Sequence, residues 1–359
     1  MADERLKEES IFLRVLKRPE FPPVLGAILI FVIFSFLASG DMFSLEGVLS
    51  WTEQASLIGV LAVSVCLLMI AGEFDLSVGS MIGFAGMMIA IFVVEFKIDP
   101  AVAIVLTFIF SIFIGFLNGY LVIKTRLPSF IVTLGTLFIL RGLTVALSRL
   151  FTNQTLVSGV NEYTADSVLA AFFGGETFTS LFTFLAQSGI IATYDDGTPV
   201  VTGIKMVVIW WIGLTILGVI LLRLTKYGNW IYATGGDEQA SKNMGVPTDK
   251  VKICLFIFTA VSATIFATCQ VFDYGSADAQ RGILKEFEAI IAVVMGGALL
   301  TGGYGTVIGA SLGALIFGIV NIGISYTGID NDYFRVFLGC MLLVAVIFSN
   351  SVRKKVMRQ

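Results

Sequence analysis

The chain has 359 residues, 57% hydrophobic and 14% charged, with a net charge of −3 and no histidine. Soluble domains carry about 25% charged residues, and disorder needs low hydrophobicity with high net charge, so both classes are excluded. The lack of His also removes His-based triads, His metal sites and His proton relays. What remains is an all-α integral membrane protein, since ten spans of about 20 apolar residues would use roughly 200 positions.

In chain order, residues 1–22 are too charged for the apolar core of a signal peptide and read as a cytoplasmic N-terminal segment. From Pro23 onward, apolar runs alternate with Gly, Pro or charge. They predict about ten transmembrane helices over 23–40, 57–71, 76–94, 101–122, 129–148, 203–224, 251–272, 285–300, 304–325 and 333–350. The second and eighth are short and read as broken or re-entrant. DMFSLEGVLSWTEQAS, residues 41–56, mixes polar and apolar residues at helical spacing and predicts an interfacial helix.

Orientation follows from Lys and Arg. With both termini in the cytoplasm, 16 of the 23 basic residues lie inside, six lie outside or at outer span ends, and Arg141 lies within a span. The stretch 150–202 is then a long extracytoplasmic loop with Glu162, Asp166, Glu176, Asp195 and Asp196 and no Lys or Arg. The stretch 225–250 is a polar cytoplasmic loop, and 351–359 is a basic cytoplasmic tail. LSVGSMIGFAGMMIAIFV echoes GTVIGASLGALIFGIV when small residues are matched, which admits an internal duplication.

Four features carry chemistry. GEFDLSVGS, residues 72–80, places Glu73 and Asp75 between strongly apolar runs. An acid at membrane depth must face protein or water. Asp75 or Ser77 can cap the following helix, so the stretch reads either as a helix break lining a solute path or as a tight capped turn. Ser77, Asn118, Thr133, Thr136 and Asn321 are polar positions in apolar spans. They could line a path or hydrogen-bond between helices. Arg141 could pair with a buried acid or reach toward an interface. Finally, residues 235–246 predict a short helix. Gly235 and Gly236 release the preceding segment, Asp237 caps, Ala240 permits close approach, Ser241 follows it, and Gly245 with Pro247 ends it.

Catalytic, cofactor and metal residues are expected to be absent. The four cysteines each lie within an apolar run without ligand spacing, and no Gly-Lys dipeptide exists from which a phosphate-binding loop could be built. The chain is therefore expected to be a transport subunit rather than an enzyme, and any ATP would be bound by a partner. No basic face suggests nucleic acid.

GEFDLSVGSMIGFAGM, RLPSFIVTLGTLFILRGL, ATGGDEQASKNMGV and EAIIAVVMGGALLTGGYGTVIGASLGALIFGIVNIGI, in that order, resemble the permease subunit of ribose/xylose/arabinose/galactose-type ABC importers. The resemblance covers nearly the whole chain from about residue 23. Where that family usually has Gly-Gly-x-Asp, the second Gly is here Glu73. In the Gly-Gly-Asn-x-x-Ala-Ala pattern, Asp237 and Ser241 replace Asn and the second Ala.

The resemblance implies a monosaccharide importer in a bacterial inner membrane, surrounded by lipid. It implies two permease copies as a homodimer, a cytoplasmic ABC ATPase and a periplasmic solute-binding protein. It also implies that Gly235–Val246 docks the ATPase. An ion-coupled secondary transporter, or an ABC importer of a polyol or furanosyl autoinducer, are the alternatives.

Overall fold

The computed structural model describes residues 20–164, 167–195 and 197–356, for 345 and 348–356 the backbone alone. The first helix, α1, spans Phe21–Leu37, with prolines in its first turn where the missing N–H costs nothing. A short 3-10 turn, Gly40–Phe43, leads to α2, Leu45–Ile70. Helix α3, Val78–Ala90, widens into a π-turn over Ile91–Glu95. It is followed by α4, Pro100–Thr125, and α5, Ser129–Thr152.

Next come a strand β1, Leu156–Ser158, three short helices α6, α7 and α8 (Asn161–Thr164, Val168–Phe173, Thr179–Gln187), and the two-residue strands β2, Glu176–Thr177, and β3, Ile204–Lys205. The chain re-enters the bundle as α9, Met206–Leu224, turns through α10, Lys226–Gly236, and α11, Glu238–Asn243, and returns as α12, Thr248–Tyr274. Strand β4, Ser276–Asp278, precedes α13, Lys285–Met295, α14, Val307–Tyr326, and α15, Phe334–Val356.

Among the described residues seven helices are long and apolar enough to cross a membrane: α2, α3 with its π-turn, α4, α5, α9, α12 and α14. Helix α1 is shorter and α13 has only 11 residues, so the expected count of ten full crossings is not reached by these criteria. In the most apolar stretch of α2, 89% of the residues are buried, against 22% in α5 and in α9. Helix α2 is therefore the central post, with α12 and α14 beside it, while α4, α5 and α9 turn their outer faces to lipid. Cys66 and Cys269 are buried in this core, and Cys254 and Cys340 lie on outer faces.

Three expectations change. Residues 45–56 do not form a separate interfacial helix: Ser44 caps α2 by accepting from the Gly47 N–H at 3.1 Å, and the helix runs unbroken to Ile70. Its polar residues Glu46, Ser50 and Glu53 open onto a polar cleft with Glu176, Thr202 and Lys205, so they need no water-facing helix of their own. The second span is thus full length. The eighth is short, as its sequence indicates. Residues 351–356 continue α15 rather than beginning a tail, and residues 1–19 and 357–359 lie outside the described residues.

The two polar stretches sit at opposite ends of the bundle. Lys205 meets Asp273 in the last turn of α12 at 2.8 Å, whereas Glu238 meets Lys252 in its second turn at 2.7 Å. The 27 residues of α12 place those ends about 40 Å apart. At the Lys205 end, β1 pairs antiparallel with β4 and β2 with β3, tying the 150–205 stretch to the bundle.

Helices α3 and α13 both begin after a non-helical lead-in. The first lead-in leaves α2 at the Gly235 end; the second leaves β4 at the other. They meet where a Cβ on Gly79 would lie 2.4 Å from the Gly282 carbonyl oxygen, so only glycine allows the approach.

Candidate functional site

The turn between α2 and α3 is built by three neighbouring helices. Helix α2 stops where Glu73 N–H returns to the Leu68 carbonyl at 3.1 Å. Beyond that point the Phe74 and Leu76 N–H groups both face α5. Ser129 and Thr133, one turn apart on α5, match that spacing. Ser129 Oγ accepts from the Phe74 N–H and Thr133 Oγ1 from the Leu76 N–H, each at 3.0 Å.

The Asp75 side chain turns the other way. Its Oδ1 accepts from the Ser77 N–H at 2.9 Å and from the Ser77 hydroxyl at 2.6 Å. Its Oδ2 accepts from Thr259 of α12 at 2.6 Å. Asn118 of α4 donates to Ser77 Oγ at 3.0 Å and accepts from Thr136 of α5 at 2.6 Å.

Asp75, Ser77, Asn118, Thr133 and Thr136 therefore form one buried polar hub that fixes the start of α3. In lipid an unpaired backbone donor costs several kcal/mol, and these side chains remove that cost for an irregular segment. Asn118 and Thr133 have no exposed surface in this arrangement. Asn321 stands apart, half-buried on α14 beyond the reach of the hub. Among the described residues no group of three or more acids or cysteines could hold a metal.

Glu286, in the first turn of α13, is buried with one carboxylate oxygen unpartnered beside Gly79. One guanidinium nitrogen of Arg141 is buried and unpartnered too, and its charge acts on Glu286. Sequence reasoning passes over Glu286. The signal is present in Lys285-Glu286-Phe287-Glu288, where charge enters an apolar run.

At the other polar segment the expected helix forms as α11. Asp237 caps it by accepting from the Ala240 N–H at 2.9 Å. Gly245, at φ +85, ends it in the left-handed conformation glycine favours. Ala240 and Met244 are exposed, while Ser241 is buried and donates to the Ala233 carbonyl at 2.7 Å.

The glycines act differently from expectation. Gly235 and Gly236 do not release the chain but complete α10. A Cβ on Gly235 would lie 1.8 Å from the Ile70 carbonyl oxygen, so the residue seats the segment directly on the end of α2. A ladder of charges reinforces the seat. Lys252 Nζ lies 2.5 Å from Glu73 and 2.7 Å from Glu238, and Lys242 Nζ lies 2.8 Å from Glu238 and 2.9 Å from Asp249. Burial alone would push the Glu238 carboxyl up, but Lys242 and Lys252 outweigh it and hold it below the usual range. Hydrogen bonds to Glu238 and Asp249 raise the Lys242 ammonium.

Residues 47–346 match the family model described as branched-chain amino acid transport system / permease component. The chain is 29% identical to the ribose import permease protein RbsC of Escherichia coli, covering 90% of this chain and 92% of that protein. It is 30% identical to the xylose transport system permease protein XylH of Haemophilus influenzae (91% and 94% covered) and 25% identical to the fructose import permease protein FrcC of Rhizobium meliloti (94% and 86%). No solved structure matches.

Proposed function

The chain belongs to the branched-chain amino acid transport system / permease component family, and from that premise we propose that it is the membrane-spanning subunit of an ATP-driven importer of a monosaccharide. It is a multi-pass inner-membrane protein and a transport subunit rather than an enzyme. In this reading two copies form the passage, a cytoplasmic ABC ATPase supplies the energy, and a periplasmic binding protein delivers the sugar. Both termini and the segment from Lys226 to Asp249 face the cytoplasm, as the Lys and Arg distribution supports.

The observation that carries the reading is α11: a capped, outward-facing helix seated through Gly235 on the turn that ends α2. Such a helix can receive a push from a partner and has a rigid element behind it. The polar hub then holds the start of α3 as the part of the bundle to be moved.

The test is Ala240→Trp. Ala240 is exposed and makes no core contact, so the permease should still fold, reach the membrane and pair. Uptake of labelled ribose, xylose or fructose, whichever the wild-type importer takes, should fall because the ATPase no longer seats. Wild-type uptake by this variant would reject α11 as the docking element.

A further inference from the structure

Lys252 is buried, with 7% of its surface exposed, in the second turn of a helix that crosses the bundle. Its ammonium is shared between Glu73 on the α2–α3 turn and Glu238 on α11. Thr259 lies seven residues further along α12, two turns on and on the same face, and it holds Asp75. Helix α12 thus grips the same turn at both of its acids. Glu238 is in addition tied to Lys242, and Lys242 to Asp249 at the start of α12. Exposed ion pairs contribute little, but Lys252 and Glu73 are both buried, and removing one partner of such a pair leaves an uncompensated charge.

Gly235 against the Ile70 carbonyl is a steric contact. It can transmit a push from α11 towards α2, but it opens freely when α11 moves away. A charge held on two sides resists separation as well. We propose that Lys252 is a positioning residue that couples displacement of α11 to the Asp75 turn in both directions. The inference rests on the docking role of α11 and names the link behind it.

The experiment is hydrogen–deuterium exchange on the full-length permease, assembled in nanodiscs with its ATPase subunit, without nucleotide and with ATP plus vanadate. In wild type, exchange should change on trapping both at 237–245 and at 72–77. In Lys252→Met the change at 237–245 should persist while that at 72–77 is lost, and Lys252→Arg should restore it.

Because Lys252→Met strands the Glu73 charge and could misfold, the double variant Glu73→Gln/Lys252→Met is the decisive one; it leaves neither buried charge and should show the same loss. A double variant whose 72–77 segment responds as in wild type overturns the assignment. A wild-type complex in which 237–245 is itself unresponsive removes the docking role of α11, and the Lys252 assignment falls with it.

Discussion

Asp75 offers a sharp separation between a hydrogen-bonding role and a charge role. In Asp75→Asn the remaining carbonyl oxygen can still accept from the Ser77 N–H and hydroxyl, which reach Oδ1 at 2.9 and 2.6 Å. The new amide N–H₂ then faces Thr259. That hydroxyl also points at the Phe256 carbonyl, 2.8 Å away, so it can donate there and accept from the amide. No group is stranded, and the expected cost is below about 1.5 kcal/mol, the scale of one hydrogen bond. In Asp75→Leu the Ser77 N–H, fixed by the backbone, loses its acceptor, and the Ser77 hydroxyl loses its own. Two buried unsatisfied groups cost about 2–6 kcal/mol at roughly 1–3 each. Thermal unfolding of the detergent-purified permease should therefore show a small shift for Asn and a large one for Leu. ATP-driven uptake in reconstituted vesicles should survive in Asn. An Asn variant with wild-type thermal stability and no uptake would refute the reasoning, because the charge itself would then be required, as in an ion-coupled carrier. A Leu variant as stable as wild type would show that the hub does not hold the turn.

Other expectations follow from the same geometry. Gly235→Ala should lower the unfolding temperature, because its Cβ would meet the Ile70 carbonyl at 1.8 Å, whereas Gly236→Ala, with open space around it, should be silent in the same melt. Asp237→Ala removes the cap of α11 and should cost about 1 kcal/mol locally, seen as faster amide exchange at Ala240. The depressed Glu238 carboxyl contributes stability that is present above its ordinary value of 4.5 and lost as pH falls through its lower folded value. The raised Lys242 ammonium contributes below 10.5 and is lost as pH rises past its folded value. Protection of residues 237–245 should accordingly be flat between those limits and weaken on the acid side first in an exchange series corrected for intrinsic rates.

Much of this architecture is legible in the chain itself, for identifiable reasons. Apolar runs of span length flanked by Asp99-Pro100, Pro128-Ser129 or Thr306 announce helix starts, and α4, α5 and α14 begin there. The α11 cap and stop are local signals and appear where Asp237 and Gly245 place them. The hub residues are visible singly as polar positions in apolar runs, but their convergence is not, because Asp75 and Thr259 lie 184 residues apart. Glu73 and Lys252 escape for the same reason: each alone reads as a charge near a turn. Gly235 misleads because a Gly-Gly pair signals both flexibility and close approach, and only the position of the Ile70 carbonyl decides between them. The lead-in to α13 carries Asp278, Arg281 and Lys285 and reads as an ordinary loop, although Glu286 at its end is buried.

The two helix starts that meet at Gly79 are held in different ways. Before α3, hydroxyls and amides from α4, α5 and α12 engage Asp75, Ser77 and the N–H groups of Phe74 and Leu76. The turn is also anchored outward through Glu73 and Lys252. Before α13, Arg281 binds back to Ser276 within the same lead-in, and Lys285 pairs with Glu288 one turn along the same helix. The segment is also fastened outward, since β4 pairs with β1 and the Ala279 N–H donates to the Thr155 carbonyl at 2.9 Å. Glu286 and Arg141, the groups that reach across, each retain a buried polar atom with no partner. Unsatisfied atoms of this kind raise the energy of the arrangement that contains them. The first break is thus a rigid joint wired to the α11 end of the bundle. The second rests against it through a glycine contact with no room for a side chain.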